Sequence, residues 1–402
     1  MNYRSSPFDP ANPFRSFLMA GFECADHQNA FGERVDLIDL TGHDRMIGED
    51  YQNLRKIEIS TVREGIRWSF VEKRPYEYDW SQVEEIITHA QAHGIQVVWD
   101  ICHFGFPDDL TPLHPMFARR FAHLCRAFVK KYRSMVSDGE LIITPINEVS
   151  FLSWLGGEVR GTSPYTQRQG WEVKYMLMKA YIEGIEMMKE TDPTVQIMPT
   201  EPLIHISADD LSDPLLVLEA NKKHQEQFQV LDILTGKICP ELRGKPEYLD
   251  TIGLNFYFNN QWTIHDHRFI PWDADPPNPL WKNLSALVGE VYLRYGRPIV
   301  ISETSIHGEH RYAWLKMIGE ECIAIIKNGI PLYGCCIYPI LDRPDWDFPD
   351  HWHHSGLWDI PDPENLHREV HYESLMALNE FRHELSHILS PEEIPVANDF
   401  VI

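Results

Sequence analysis

Residues 141–150 read LIITPINEVS, and residues 297–305 read RPIVISETS. Each is an apolar run of strand length that ends on a carboxylate, Glu148 in the first and Glu303 in the second. A carboxylate just beyond a buried strand costs free energy unless it is paired or used. Working outward, six more short apolar runs complete a set at 17–21, 61–66, 96–101, 141–145, 196–199, 251–255, 298–302 and 333–338. Helical periodicity fills the gaps, at 50–57, 82–93, 117–132, 176–188, 284–295, 313–327 and 370–385. In 117–132 the stripe is Phe117, Phe121, Leu124, Phe128 and Tyr132; in 82–93 it is Val83, Ile86, Ile87 and Ala90, with Ser81 as the expected N-cap.

Strands alternating with helices predict parallel strands covered by helices, and eight such units predict an α/β fold, a single (β/α)8 TIM barrel. No linker, low-complexity block or composition shift divides the chain. One catalytic barrel over 1–402 is therefore expected, with its core at about 17–385 and short extensions at both ends. In such a barrel the chemistry sits at the C-terminal ends of the strands. Glu148 and Glu303, ending the fourth and seventh strands, would face each other across the mouth. A retaining glycosidase needs that arrangement, with one carboxyl to protonate the leaving oxygen and another, ~5–5.5 Å away, to attack the anomeric carbon. Either carboxylate alone could pair with Arg63 or a rim Lys; the two together, with Asn147 before the first, point to catalysis.

Composition narrows the field. With 36 basic and 60 acidic residues the net charge is −24, which argues against a protein that coats nucleic acid or anionic membrane. It also disfavours a polyanionic substrate, so a neutral sugar is expected. Seven dilute Cys do not read as a disulfide framework. The first residues, MNYRSSPFDPANPFRSF, carry no signal-like apolar run, and no stretch of ~18 apolar residues occurs. A cytoplasmic chain is expected. No G-x-S-x-G elbow, G-x-G-x-x-G or P-loop is present, so no cofactor is implied.

The chain resembles glycoside hydrolase family 1, the β-glucosidase type, through six motifs in the family's order. HDRMIGEDYQNLRKIEISTVREGIRW (43–68) is similar to D-H-Y-x-R-Y-x-E-D leading to R-F-S-I-S-W. HFGFPDDL (103–110) resembles H-W-D-L-P-x-x-L, and TPINEVS (144–150) resembles T-x-N-E-P. TIGLNFYF (251–258) resembles D-F-x-G-x-N-Y-Y, and PIVISETS (298–305) resembles P-I-x-I-T-E-N-G. YPILDRPDWDFPDHWHHSGLWDI (338–360) resembles W-S-L-x-D-N-F-E-W-x-x-G-Y-x-x-R-F-G-L-x-x-V-D.

The resemblance implies a retaining β-glycosidase, exo-acting on a glucose- or galactose-like glycone. It implies Glu148 as general acid/base and Glu303 as nucleophile, with Asn147 on the sugar 2-hydroxyl. Arg63 would lie beside Glu303 and favour its ionised form; Tyr257 would donate to Glu303, with Asn255 nearby. His103 would contact a sugar hydroxyl. Asp345 and Trp346 match the family's Glu-Trp pair, the carboxylate taking ring hydroxyls and the indole packing on the sugar. Tyr338 stands at the usual Trp. Glu23, His27 and Gln28 share the region where the family has a Gln, and the register among them stays open. Asp345 for Glu, Arg343 and Pro344 for Asn and Phe, NEV for NEP and SETS for TENG alter the pocket but leave both Glu in place. Arg343 could bind a sugar phosphate or pair with Asp342 or Asp345.

Other readings use the same residues differently. Transglycosylation would resolve the glycosyl-enzyme with a sugar hydroxyl instead of water, and an idle barrel would bind sugar without turning it over. Zinc at His351, His353 and His354 with Cys335 and Cys336 is disfavoured, because adjacent strand Cys point to opposite faces. His205, His307 and His310 could join a His-lined rim or be satisfied loop residues. The Pro-rich loop 271–279 is long enough to suggest a functional role and, with the loop after the eighth strand, partial closure of the pocket.

Overall fold

The run QVVWDIC forms a strand buried along its whole length, β3 (Gln96–Cys102), as a parallel strand covered on both faces must be. It belongs to a computed structural model that describes residues 11–389. The first ten residues of the expected N-terminal extension, and residues 390–402 of the C-terminal one, lie outside the described residues. The other barrel strands are β1 (Leu18–Gly21), β2 (Thr61–Gly65), β4 (Ile142–Ile146), β5 in two pieces (Gln196–Ile197 and Thr200–Pro202), β6 (Ile252–Asn255), β7 (Ile299–Thr304) and β8 (Leu332–Ile337).

Every pairing among them is parallel. β5 is interrupted at Met198 and Pro199, where proline removes a ladder donor. Its first piece pairs with β4 and its second with β6, while β8 pairs with β1. The sheet thus closes on itself, and the expected barrel is found.

Side-chain alternation divides the interior in two. Met19, Val98, Ile142, Met198, Val300 and Cys336 point inward and form one apolar cluster, against which Phe14 packs. Their neighbours Leu18, Val97, Trp99, Ile143, Ile301 and Cys335 point outward into the core shared with the helices. Trp99 is fully buried there, 5.2 Å from the Phe128 ring; truncating such a residue to Ala costs about 3–5 kcal/mol. The covering helices include His43–Lys56, Ser81–His93, Phe117–Met135, Gly170–Thr191, Leu284–Tyr295, Arg311–Lys327 and Tyr372–Leu389. Gly184 lets two of them approach closely, since a Cβ there would meet Cys125 Sγ and Phe121 at 3.0 Å.

Two local expectations change. Ser81 is the first helical residue rather than the cap; Trp80 precedes it, and Asp79 Oδ1 accepts both the Ser81 amide (3.1 Å) and its hydroxyl (2.7 Å). Val370 lies in a two-residue ribbon strand paired with Trp358–Asp359, and the last helix starts after it. All seven Cys are free. No helix among the described residues is long and apolar enough to cross a membrane.

Candidate functional site

β2, β3, β4, β6 and β7 each deliver polar side chains to the C-terminal mouth of the barrel. Glu303, near the end of β7, accepts hydrogen bonds on both oxygens. Arg63 Nη1 of β2 donates to Oε1 at 2.9 Å, and the Tyr257 hydroxyl donates to Oε2 at 2.7 Å. The Arg63 guanidinium is itself clamped. Nη1 also donates to the Ser302 carbonyl (2.9 Å), and Nη2 donates to Asp100 Oδ2 (2.6 Å) and Asn147 Oδ1 (3.2 Å). Asp100 Oδ2 takes His103 Nδ1 at 2.9 Å as well. Burial opposes charge on Asp100, but Arg63 and His103 outweigh it and hold the carboxyl below its usual range. Burial likewise works against an imidazolium at His103, but Cys24, Asp100 and Glu23 push its pKa well above the ordinary value.

Glu148 is treated differently. It stands at φ +46, in the left-handed region, between β4 and the nine-residue helix Val149–Gly157. A non-glycine residue pays about 1–3 kcal/mol for such a conformation, and sites of function are where that cost is tolerated. The Glu148 amide donates to the Thr200 carbonyl at 2.9 Å, and the Asn147 amide to the Cys102 carbonyl at 2.9 Å, which fixes the turn. Asn255 Nδ2 donates to Glu148 Oε1 at 2.9 Å, the one hydrogen bond to its carboxyl among the described residues. Asn255 Oδ1 accepts the Ser302 hydroxyl at 2.7 Å, which orients the amide. Asn255 is also in sheet register with Glu303, so it lies between the two carboxylates. Burial, then the charge of Glu303, pushes the Glu148 carboxyl up to about 8, against the Asn255 bond.

The remaining sequence candidates divide into three groups. Tyr338 lies under the site. Its ring stacks on His103 at 5.6 Å, Arg63 sits 5.2 Å from its centroid, and its hydroxyl is 3.2 Å from His103 Nε2. Gly21 makes room for it; a Cβ there would fall 1.9 Å from Tyr338 Cδ2. Glu23, His27 and Gln28, left open by sequence, separate clearly. Glu23 joins the network, 3.6 Å from His103 Nε2 and 3.4 Å from Arg343 Nε. His27 is buried against Trp346 (4.5 Å) and Phe104 (6.5 Å), and burial, Arg34, His103 and Arg343 lower its pKa to about 3. Gln28 reaches the outer side, donating to Asp108 Oδ1 at 3.1 Å.

Trp346 stands beside His27, Phe104 (5.4 Å) and Phe151 (6.2 Å), with the Arg343 guanidinium 5.7 Å from its ring centroid. Asp345 is engaged by its own loop. Oδ1 accepts the amides of Asp347 (2.9 Å) and Phe348 (3.0 Å), and Oδ2 lies 3.1 Å from His353 Nε2. One methylene shorter than Glu, the side chain folds back onto its own loop as an Asx turn. Arg343 pairs with Glu23, not with Asp342 or Asp345.

His353 thus belongs to the Asp345 loop, and His354 Nδ1 lies 3.3 Å from Asp342 Oδ2. Cys335 faces the outer core and Cys336 the inner cluster, so the pair cannot close on one ion. His205 packs against His224, His307 against Phe258, and His310 against Trp272. Trp272 of the Pro-rich loop packs on Trp314 at 5.2 Å.

Among the buried carboxylates that escaped the sequence reading, Asp100 and Glu201 lie nearest the two Glu. Both carried a signal, an acidic residue inside or just after a strand run (QVVWDIC, IMPTEP). Buried polar atoms at the mouth without a hydrogen-bond partner include Asp100 Oδ1, Arg63 Nε, His27 Nδ1 and Trp346 Nε1.

No family model matches the sequence, and no curated protein sequence matches it. Solved structures do. A β-glucosidase from Thermotoga maritima in complex with glucoimidazole superposes with a TM-score of 0.70 at 16% identity, over 85% of this chain and 87% of that one. The AHE enzyme from Alicyclobacillus herbarius gives 0.73 at 15% identity, over 92% and 98%. The β-glycosidase BGL167 gives 0.70 at 16% identity, over 94% and 98%. At this identity the likeness establishes a shared fold, that of a family 1 β-glucosidase.

Proposed function

We propose that the chain is a retaining β-glycosidase, one catalytic barrel that removes a glucose- or galactose-like unit from the end of a β-linked glycoside. The observation that carries this reading is the unequal treatment of two neighbouring carboxyls. Glu303 has both oxygens held by donors, one of them a cation, while Glu148 is buried with a single neutral donor and pushed up to about 8. A carboxyl held protonated beside a second carboxyl bonded on both oxygens offers an acid and a nucleophile in one site.

In the proposed reaction a Glu303 oxygen attacks the anomeric carbon while Glu148 gives its proton to the glycosidic oxygen, and the aglycone leaves as an alcohol. Water then attacks the glycosyl–Glu303 ester. Glu148 takes a proton from that water, the ester bond breaks, and both carboxyls return to their starting state. Arg63 and Tyr257 hold Glu303 in line throughout. Asn147 and His103 lie where hydroxyls of the bound sugar would be read. Glu23 and Asp345 would accept sugar hydroxyls, and Trp346 would offer its ring to the sugar's apolar face. A sugar would suit this mouth because its hydroxyls pair with polar side chains while its apolar face packs on an aromatic ring.

The test is hydrolysis of aryl β-glycosides carrying gluco, galacto, manno, fuco, xylo and glucuronic sugars by the native chain, Glu303→Ala and Glu148→Ala. Turnover of a gluco or galacto substrate, lost in both variants, is expected. Binding of these sugars without turnover by the native chain would replace the enzyme with a sugar-binding barrel. Transfer to an added acceptor sugar in preference to water would make it a transglycosylase.

A further inference from the structure

Glu201 is a buried carboxylate that the proposed reaction leaves unused. It stands on the second piece of β5, in register with Leu254 of β6, and is 3% exposed. Its oxygens accept the Ser150 amide at 3.1 and 3.4 Å. The residue before it, Thr200, accepts the Glu148 amide through its carbonyl at 2.9 Å. Two successive residues of β5 therefore grip two alternate amides of one turn, and Glu148 stands in that turn at φ +46. Without the carboxylate the first free amides of helix Val149–Gly157 would lose a buried acceptor, and the strained turn would lose one of its three anchors.

We propose that Glu201 is a positioning residue for Glu148, holding the left-handed turn through the Ser150 amide and placing a second negative charge behind it. The inference rests on the reading of Glu148 as the acid/base. The groups facing Glu201 are few. From the helix after Glu148 come the Ser150 hydroxyl and the Val149 and Ser150 amides, and from helix Gly170–Thr191 come Lys174 and Tyr181. Lys174 Nζ donates to Gln229 Oε1 at 2.8 Å, and among the described residues no cation forms a direct ion pair with Glu201. The Lys174 charge offsets part of the Glu201 charge, and the remainder acts on Glu148. Burial pushes Glu201 up to about 7, and its charge adds to burial and Glu303 in raising Glu148. The two carboxyls titrate as a coupled pair, Glu148 holding its proton more tightly once Glu201 has lost its own.

The experiment follows the carboxyl carbon of Glu148 by NMR in the full chain carrying 13C-glutamate, with the resonance assigned by its absence in Glu148→Gln. In the native chain Glu148 should titrate in two steps. In Glu201→Gln, whose amide oxygen still accepts the Ser150 N–H, the Glu148 midpoint should fall by at least about 0.5 pH unit. The alkaline limb of kcat/KM should fall with it. Glu201→Asp, which restores the charge at a shorter reach, should recover part of the shift, a response that a merely structural residue would not give. A single-step native titration, or the same Glu148 midpoint in native and folded Glu201→Gln, would overturn the proposal. If Glu201→Gln does not fold, Glu201→Asp decides, because Glu303 could also give a two-step native curve: a Glu148 midpoint unmoved from native in folded Glu201→Asp would overturn the proposal. Coupled titration with no turnover of any glycoside would refute the glycosidase reading and leave the Glu201 assignment standing.

Discussion

Arg63 and Glu64 are neighbours on β2, yet they serve two different buried ion networks. Strand alternation sends Arg63 into the barrel mouth and Glu64 out toward helix His43–Lys56. On the outer side, Glu64 Oε1 takes His43 Nε2 (2.9 Å) and the Tyr51 hydroxyl (2.7 Å). His43 Nδ1 lies 2.8 Å from Asp50, which is bound on both oxygens by Arg368 at 2.9 and 3.1 Å. Burial alone would strip the proton from His43, but Glu64 and Asp50 raise it to about 9. Two cations meet two anions, and every charge is answered. In the mouth, Asp100, His103, Arg63, Glu303, Glu23 and Arg343 are also matched, but Glu148 has only a neutral amide. The outer network holds a helix to the barrel. The inner one leaves a carboxyl that can be neither comfortably ionised nor fully bonded, the imbalance on which the proposed acid role rests.

Three expectations sharpen this contrast, in falling order of effect. Glu303→Ala should lower kcat/KM on the active glycoside by at least about 10⁴-fold, as removal of a nucleophile does, in a chain that still folds. A loss of less than tenfold would place the chemistry elsewhere. Arg368→Met should do the opposite. Stranding Asp50 in the outer network should cost about 3–5 kcal/mol in urea unfolding while kcat/KM of the folded enzyme stays within about twofold. A stable but inactive Arg368→Met would erase the distinction between the networks.

The third expectation concerns stability and pH. The folded-state value of Glu148 lies above its ordinary one, so its contribution to stability falls as pH rises above that ordinary value and is fully lost once pH passes about 8. Glu148→Gln does not titrate and should unfold on the order of 2–3 kcal/mol less readily than the native chain at pH 7. Native kcat/KM should decline through the same region as the acid is lost. Equal unfolding free energies across pH 5–8, or activity flat to pH 10, would show that Glu148 is not held protonated.

The barrel was legible because its strands are short apolar runs and its helices carry period-3.6 stripes, signals that tertiary packing reinforces. The break in β5 was less so, since Gln196 to Pro199 gives one continuous pattern and the interruption follows from pairing with two different neighbours. Both Glu stood out because each ends an apolar run. Asp100 did not, since QVVWDIC reads as strand throughout and its partners Arg63 and His103 are 37 residues back and three ahead. Asp345 was placed by motif, but the loop amides that capture it depend on a backbone path that spacing does not encode. The choice of Glu23 over His27 and Gln28 likewise needed the position of Arg343, about 320 residues away in sequence but 3.4 Å in space.

The central claim is that Glu303 attacks the sugar and Glu148 serves it as acid and base. The most direct measurement is the product formed by Glu303→Ala with sodium azide and an activated aryl β-glycoside. Azide entering the space left by the carboxylate should attack from the Glu303 face and give the α-glycosyl azide, while Glu148→Ala under the same conditions should give the β-glycosyl azide through the intact glycosyl–Glu303 ester. A β-azide from Glu303→Ala, or azide rescue of neither variant with an active native enzyme, would contradict the assignment.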